Sequence, residues 1–158
     1  MNPLRGLTAG ETSRGNALDR AGCNQKNGEI VVFGNVKNEA NKRQAGGVMY
    51  IGKNAKNAIN LFKKAGDTYV GGSVAGNAGK YMLGGRLFIM KKAKGRIGAG
   101  IGAGAEIYIG EQIEGRQDTA VLGSIAFRPF DYDFALKLRE KAENKLKELG
   151  INPYYHND

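Results

Sequence analysis

Short apolar runs recur along the middle of this chain at a constant interval. EIVVF (29–33), VMYI (48–51), DTYV (67–70), RLFIM (86–90) and EIYI (106–109) are rich in the β-branched and aromatic residues that favour strands. Gly28, Gly47, Gly66, Gly85 and Gly104 open them and stand 19 residues apart. Counting from each glycine, the fourth residue is Val32, Ile51, Val70 or Ile89, and the eighth is Val36, Ala55, Val74 or Ala93. The twelfth is Ala40, Ile59, Ala78 or Ile97. These columns predict the inward positions of a coil that returns to the same place every 19 residues. In the last coil the register slips by one at Gly104-Ala105, which brings Ile107, Ile109 and Ile113 inward.

Two polar columns keep the same step. The tenth residue after each glycine is Asn38, Asn57, Gly76 or Gly95, and the thirteenth is Asn41, Asn60, Gly79 or Gly98. Glycine and asparagine accept positive φ most readily, so both columns read as left-handed corners. A 19-residue coil with short strands and such corners predicts an all-β fold, a right-handed parallel β-helix of four to five coils. At about 4.8 Å per coil the stack would be about 20–25 Å long. Residues 1–27 lack the period and are expected to form an irregular arm or cap, with the β-helix over 28–114. The remainder, 115–158, reads as an acidic connector and a helix over 133–149, N-capped by Asp133 and ended by Gly150. Ala135, Leu138, Ala142, Leu146 and Leu149 share one face of that helix, whose expected role is to cap the solenoid or pack on it.

GSVAGNAGKYMLGGRLFI (72–89) closely resembles the coil of the GXGXG β-helix family, found at the C-terminus of glutamate synthase and in the β-helix component of formylmethanofuran dehydrogenase. Gly76, Gly79, Met82, Gly84 and Gly85 match that coil, and GRIGAGIGAGAEIYIGE (95–111) is a looser copy. The methionine of the pattern is missing from the first two coils, NKRQAGG and NLFKKAGD. The resemblance implies a scaffold without chemistry of its own. Such a scaffold would organise catalytic subunits of a glutamate synthase-like oxidoreductase complex or of a formylmethanofuran dehydrogenase, with the solenoid ends available for pairing two copies.

Composition narrows the alternatives. Of 158 residues 25 are glycine and only 3 proline, which excludes collagen. Eighteen of the glycines lie between Gly28 and Gly110, inside the repeat. The single Cys23 excludes an internal disulfide, and no apolar run approaches the ~20 residues of a membrane span. The first residues carry no apolar leader, and the expected location is the cytoplasm.

Positive charge is concentrated in residues 37–96, which hold 13 Lys and Arg against Glu39 and Asp67. This segment reads as a solvated surface, a contact for an acidic protein partner, or a nucleic-acid-binding face. Its densest cluster, Lys91, Lys92, Lys94 and Arg96, is the candidate anion or partner contact. Phe62, Tyr69, Tyr81 and Phe88 fall inside the repeat and are read as packing residues. Gly98–Ala103 fits G-x-G-x-x-A, but a dinucleotide site needs a helix next, and the residues that follow predict a strand. Glu106, Glu111, Glu114 and Asp118 are read as a salt-bridging edge, and His156 lies near the C-terminus. The sequence carries no nucleophile–base pair and no metal-ligand spacing, so no catalytic, cofactor or metal residue is assigned.

Overall fold

The computed structural model describes residues 12–13, 15–117 and 123–126, and positions 137, 140, 141, 143, 144, 147, 148 and 150. Over these residues the chain winds into a parallel β-solenoid. Its strands are β1 (Thr12–Ser13), β2 (Glu29–Val32), β3 (Ala45–Ile51), β4 (Ala65–Val70), β5 (Gly84–Ile89), β6 (Lys92–Ala93), β7 (Gly104–Ile109), β8 (Gln112–Ile113) and β9 (Ser124–Ala126). One lateral sheet runs β1-β2-β3-β4-β5-β7-β9, and β6 pairs with β8 on another side. The 19-residue step is literal: Glu29 pairs with Val48, Val48 with Asp67, and Asp67 with Arg86, all parallel.

The core follows the columns. Val32, Ile51, Val70 and Ile89 are fully buried in one cluster with Val36, Ala55, Val74, Ala93, Ala40, Ile59, Ala78 and Ile97. Strands β2, β3, β4, β5 and β7 are also buried on their outer face, where Val31, Tyr50, Tyr69, Phe88 and Tyr108 form a second cluster. Tyr50 stacks on Tyr69 and Phe88 on Tyr108, each pair with ring centroids 4.9 Å apart. Burial on both faces is why the strands read as continuous apolar runs instead of alternating ones.

The coils extend beyond the glycine repeat. Thr12–Ser13 pairs with Val31–Val32, Ala17 bridges Val36, and Ala21 is fully buried in the core. Residues 15–27, expected in an irregular arm, therefore form a coil, with Ala17, Ala21 and Gly22 (φ 71°) on the eighth, twelfth and thirteenth columns. At the other end Ser124–Ala126 adds a strand beyond residue 114. The extra residue of the last coil also lies earlier than expected. Gly102 keeps the 19-residue register through its bond to Met82, whereas Gly104 pairs with Gly84, so the insertion falls at 102–104. Ala105, not Gly104, thus occupies the position of Gly85.

Of the two corner columns only the thirteenth is left-handed: Asn41, Asn60, Gly79 and Gly98 have φ of 56, 60, 69 and 70°. At the tenth position the positive φ falls one residue later, at Glu39 and Ala58. Glycine is required there by close approach instead. A Cβ on Gly76 would lie 2.7 Å from Asn57 Cα, and one on Gly95 would overlap the Gly76 carbonyl.

Most of the helix expected over 133–149, including its apolar face, lies outside the described residues. Lys137, Glu140, Lys141, Glu143, Asn144, Lys147 and Glu148 are helical, Gly150 has φ 75°, and Lys141 pairs with Glu29 of β2.

The lumen contains a polar stretch that the sequence columns do not reveal. Gln25, Gln44, Lys63, Met82 and Ile101 stack at 19-residue intervals on the inside, so one column turns from amide to amine to apolar. Gln44 Nε2 donates to Gln25 Oε1 (3.2 Å), and Lys63 Nζ donates to Gln44 Oε1 and to Thr68 Oγ1. Asn41 Nδ2 donates to the Gly22 carbonyl and to Gln25 Oε1, both at 3.1 Å. Asn41, Gln44, Asn60, Lys63 and Thr68 are all fully buried. Burial lowers the Lys63 amine from 10.5 to about 7, with Asp67 opposing the shift and Arg86 adding to it.

Candidate functional site

The solenoid turns surplus sequence columns into straight rows of side chains, and two of these rows form candidate binding surfaces. The first is a groove on the side of the coil that follows the lateral sheet. It encloses about 500 Å³ and extends from Asn16 to Lys94. One wall is the row seven residues after the glycine position, Asn16, Asn35, Asn54 and Ser73. Each member holds the next coil: Asn35 N–H donates to Asn16 Oδ1 (2.7 Å), Asn54 N–H to Asn35 Oδ1 (2.9 Å) and Ser73 N–H to Asn54 Oδ1 (2.8 Å). The other wall is the row two residues on, Lys37, Lys56, Ala75 and Lys94. These three lysines are exposed and form no ion pair with any described residue, and the groove lining contains no carboxylate. The floor is Ala17, Val36 and Ala55, whose side chains point into the core.

This arrangement redistributes the basic cluster expected at 91–96. Lys94 joins the groove, whereas Lys92 pairs with Glu114 across one coil (3.2 Å) and is partly neutralised. Lys91 and Arg96 are exposed but do not line the groove. The effective partners of Lys94 are Lys37 and Lys56, distant in sequence. Their signal was available, because all three stand nine residues after an opening glycine.

The second surface is a corner formed by the row Asn24, Arg43, Phe62, Tyr81 and Gly100, every member of which has positive φ. Phe62 and Tyr81, expected as packing residues, are 37% and 45% exposed, and the neighbouring Leu83 is 58% exposed. Their rings stack at 5.4 Å, with the Arg43 guanidinium 5.9 Å from the Phe62 ring and Lys80 Nζ 5.3 Å from the Tyr81 ring. A bulky side chain at positive φ is an outlier with an energetic cost. The same row carries asparagine before and glycine after, so the fold does not require aromatic rings here. Tyr69 and Phe88 do pack, in the cluster on the outer face of the sheet.

The remaining candidates resolve simply. Gly98 and Gly100 have φ of 70° and 66°, and β7 follows them, so the G-x-G-x-x-A stretch is a solenoid corner leading into a strand. Glu106 accepts a hydrogen bond from the Tyr108 hydroxyl and Glu114 pairs with Lys92, while Asp118 and His156 lie outside the described residues. Burial pushes the Cys23 thiol up, and its S–H donates to the Glu39 carbonyl (3.5 Å). Among the described residues no three His, Cys, Asp or Glu side chains are grouped to hold a metal ion, and no helix is long and apolar enough to cross a membrane. Comparison of the chain with known protein families, curated proteins and solved structures finds no match.

Proposed function

We propose that this protein is a docking body without chemistry of its own, which presents the Arg43–Phe62–Tyr81–Leu83 corner to a protein partner. The observation that carries this reading is the exposed aromatic–cation ladder held at positive φ. Aromatic residues and arginine dominate binding energy at protein interfaces, and strained, exposed residues are retained where they act. The solenoid supplies a rigid support, since each coil is hydrogen-bonded to the next along the whole described stack. On the sequence resemblance to the GXGXG family, the partner is a catalytic subunit of a glutamate synthase-like complex.

The test is affinity capture from the native host with immobilised wild-type chain and with the double variant Tyr81→Gly, Leu83→Ser. Wild type should retain a defined partner that the double variant loses. Equal capture by both would refute the corner, and a partner lacking synthase, amidotransferase or dehydrogenase subunits would refute the family role alone.

A further inference from the structure

We propose that the groove between the asparagine row and the lysine row binds an extended acidic polypeptide segment lying along the solenoid axis. The groove lies on a different side of the coil from the Phe62 corner, so this site stands independently of the docking role assigned to that corner.

Shape, charge and hydrogen-bonding capacity agree. The groove crosses five coils, from Asn16 to Lys94. Four steps of about 4.8 Å make it about 19 Å long, which an extended chain covers in about six residues. Lys37, Lys56 and Lys94 supply three charges along one wall, and no carboxylate opposes them. On the facing wall the side-chain oxygens of Asn16, Asn35 and Asn54 are engaged by backbone N–H groups. What Asn54 retains for a ligand is its Nδ2–H donors, the complement of a carboxylate, while Asn35 Nδ2 already donates to Asn16 Oδ1 (3.3 Å). The flexible lysine stems can adjust the coil step of about 4.8 Å to the repeat of about 6.6 Å between side chains on one face of a strand.

The groove also has a defined end. Ala93 pairs with Ile113, so the next member of the lysine row is Glu114, which turns the row negative and pairs with Lys92. Single-stranded nucleic acid is ordinarily gripped by rings that stack on its bases, and no aromatic residue lines this groove. The row contains one gap, at the exposed Ala75.

The experiment is fluorescence anisotropy of a labelled oligoglutamate, with a labelled oligothymidylate of equal charge as the competing polyanion. The chains compared are wild type, the groove variant Lys37→Gln, Lys56→Gln, Lys94→Gln, the control Lys26→Gln, Lys64→Gln, Lys91→Gln, and the gap-filling Ala75→Lys. All substitutions are at surface positions, and circular dichroism melting verifies folding. Oligoglutamate should bind wild type saturably and more weakly as salt is raised. The groove variant should lose about tenfold or more, the control less than about threefold, and Ala75→Lys should tighten binding several-fold. Equal losses in groove variant and control would reduce the effect to net charge and overturn the site. Tighter, groove-dependent binding of oligothymidylate would overturn the polypeptide assignment in favour of nucleic acid.

Discussion

Lys63 offers the sharpest test of the solenoid interior. Its amine is fully buried and donates to Gln44 Oε1 and Thr68 Oγ1, and burial lowers it from 10.5 to about 7. Between those two values the unfolded chain holds a proton that the folded chain has released. Unfolding therefore takes up a proton, and stability rises with pH by about 1.4 kcal/mol per unit across that window. Below about pH 7 both states are protonated, and the folded state bears the full cost of a buried charge. From 10.5 to about 7 this cost amounts to about 5 kcal/mol. Lys63→Met removes the titrating group and copies Met82, the buried residue at the same position one coil on. Urea denaturation of both proteins from about pH 6 to about pH 10 separates two contributions. A constant offset of about 1–3 kcal/mol against the variant comes from Gln44 losing its lysine donor. The pH-dependent part belongs to Lys63, because the other titrating groups cancel in the difference. The variant's relative stability should be greatest at about pH 6 and decline by about 1.4 kcal/mol per unit above about pH 7. A difference that does not change with pH would refute the buried, depressed lysine.

Four further substitutions test the coil geometry. Gly95→Ala places a Cβ against the Gly76 carbonyl and should cost about 2 kcal/mol or more by thermal or urea denaturation, whereas Gly15→Ala, with nothing within 4 Å of its Cβ, should change stability by less than about 0.5 kcal/mol. Asn54→Ala removes the acceptor of the Ser73 N–H and should cost about 1 kcal/mol, measured as a shift in the urea midpoint at constant slope. Tyr81→Gly suits the residue to its φ of 53° while deleting the ring stack, so its stability should stay within about 1 kcal/mol of wild type.

The fold was legible because a solenoid repeats its local environment. Glycine every 19 residues, with aliphatic residues four, eight and twelve positions later, is a one-dimensional record of the inward direction, and those columns are the core. What escaped is local. Residues 15–27 carry only part of the signature, Ala17, Ala21 and Gly22, without an opening glycine or an apolar strand run before them, and their buried Gln25 is held by hydrogen bonds from its amide to the Gly28 and Val48 carbonyls. The tenth-column glycines read as positive-φ corners, whereas their cause is contact with the preceding coil, a distance that sequence does not encode.

The candidate sites divide in the same way. Sequence alone determined the period, the five apolar strands of the repeat and the concentration of positive charge between residues 37 and 96, since each depends on residue type and spacing. Only the tertiary structure decided which charges act together. Stacking brings Lys37, Lys56 and Lys94 into one groove from three coils, while Lys92, two residues from Lys94, is paired with Glu114. It also decided that Lys63 lies in the lumen and Phe62, its neighbour in the chain, on the surface. Phe62 sits at a left-handed corner with φ of 58°, where the chain changes direction, and which of the two side chains faces inward is settled by the closure of the coil.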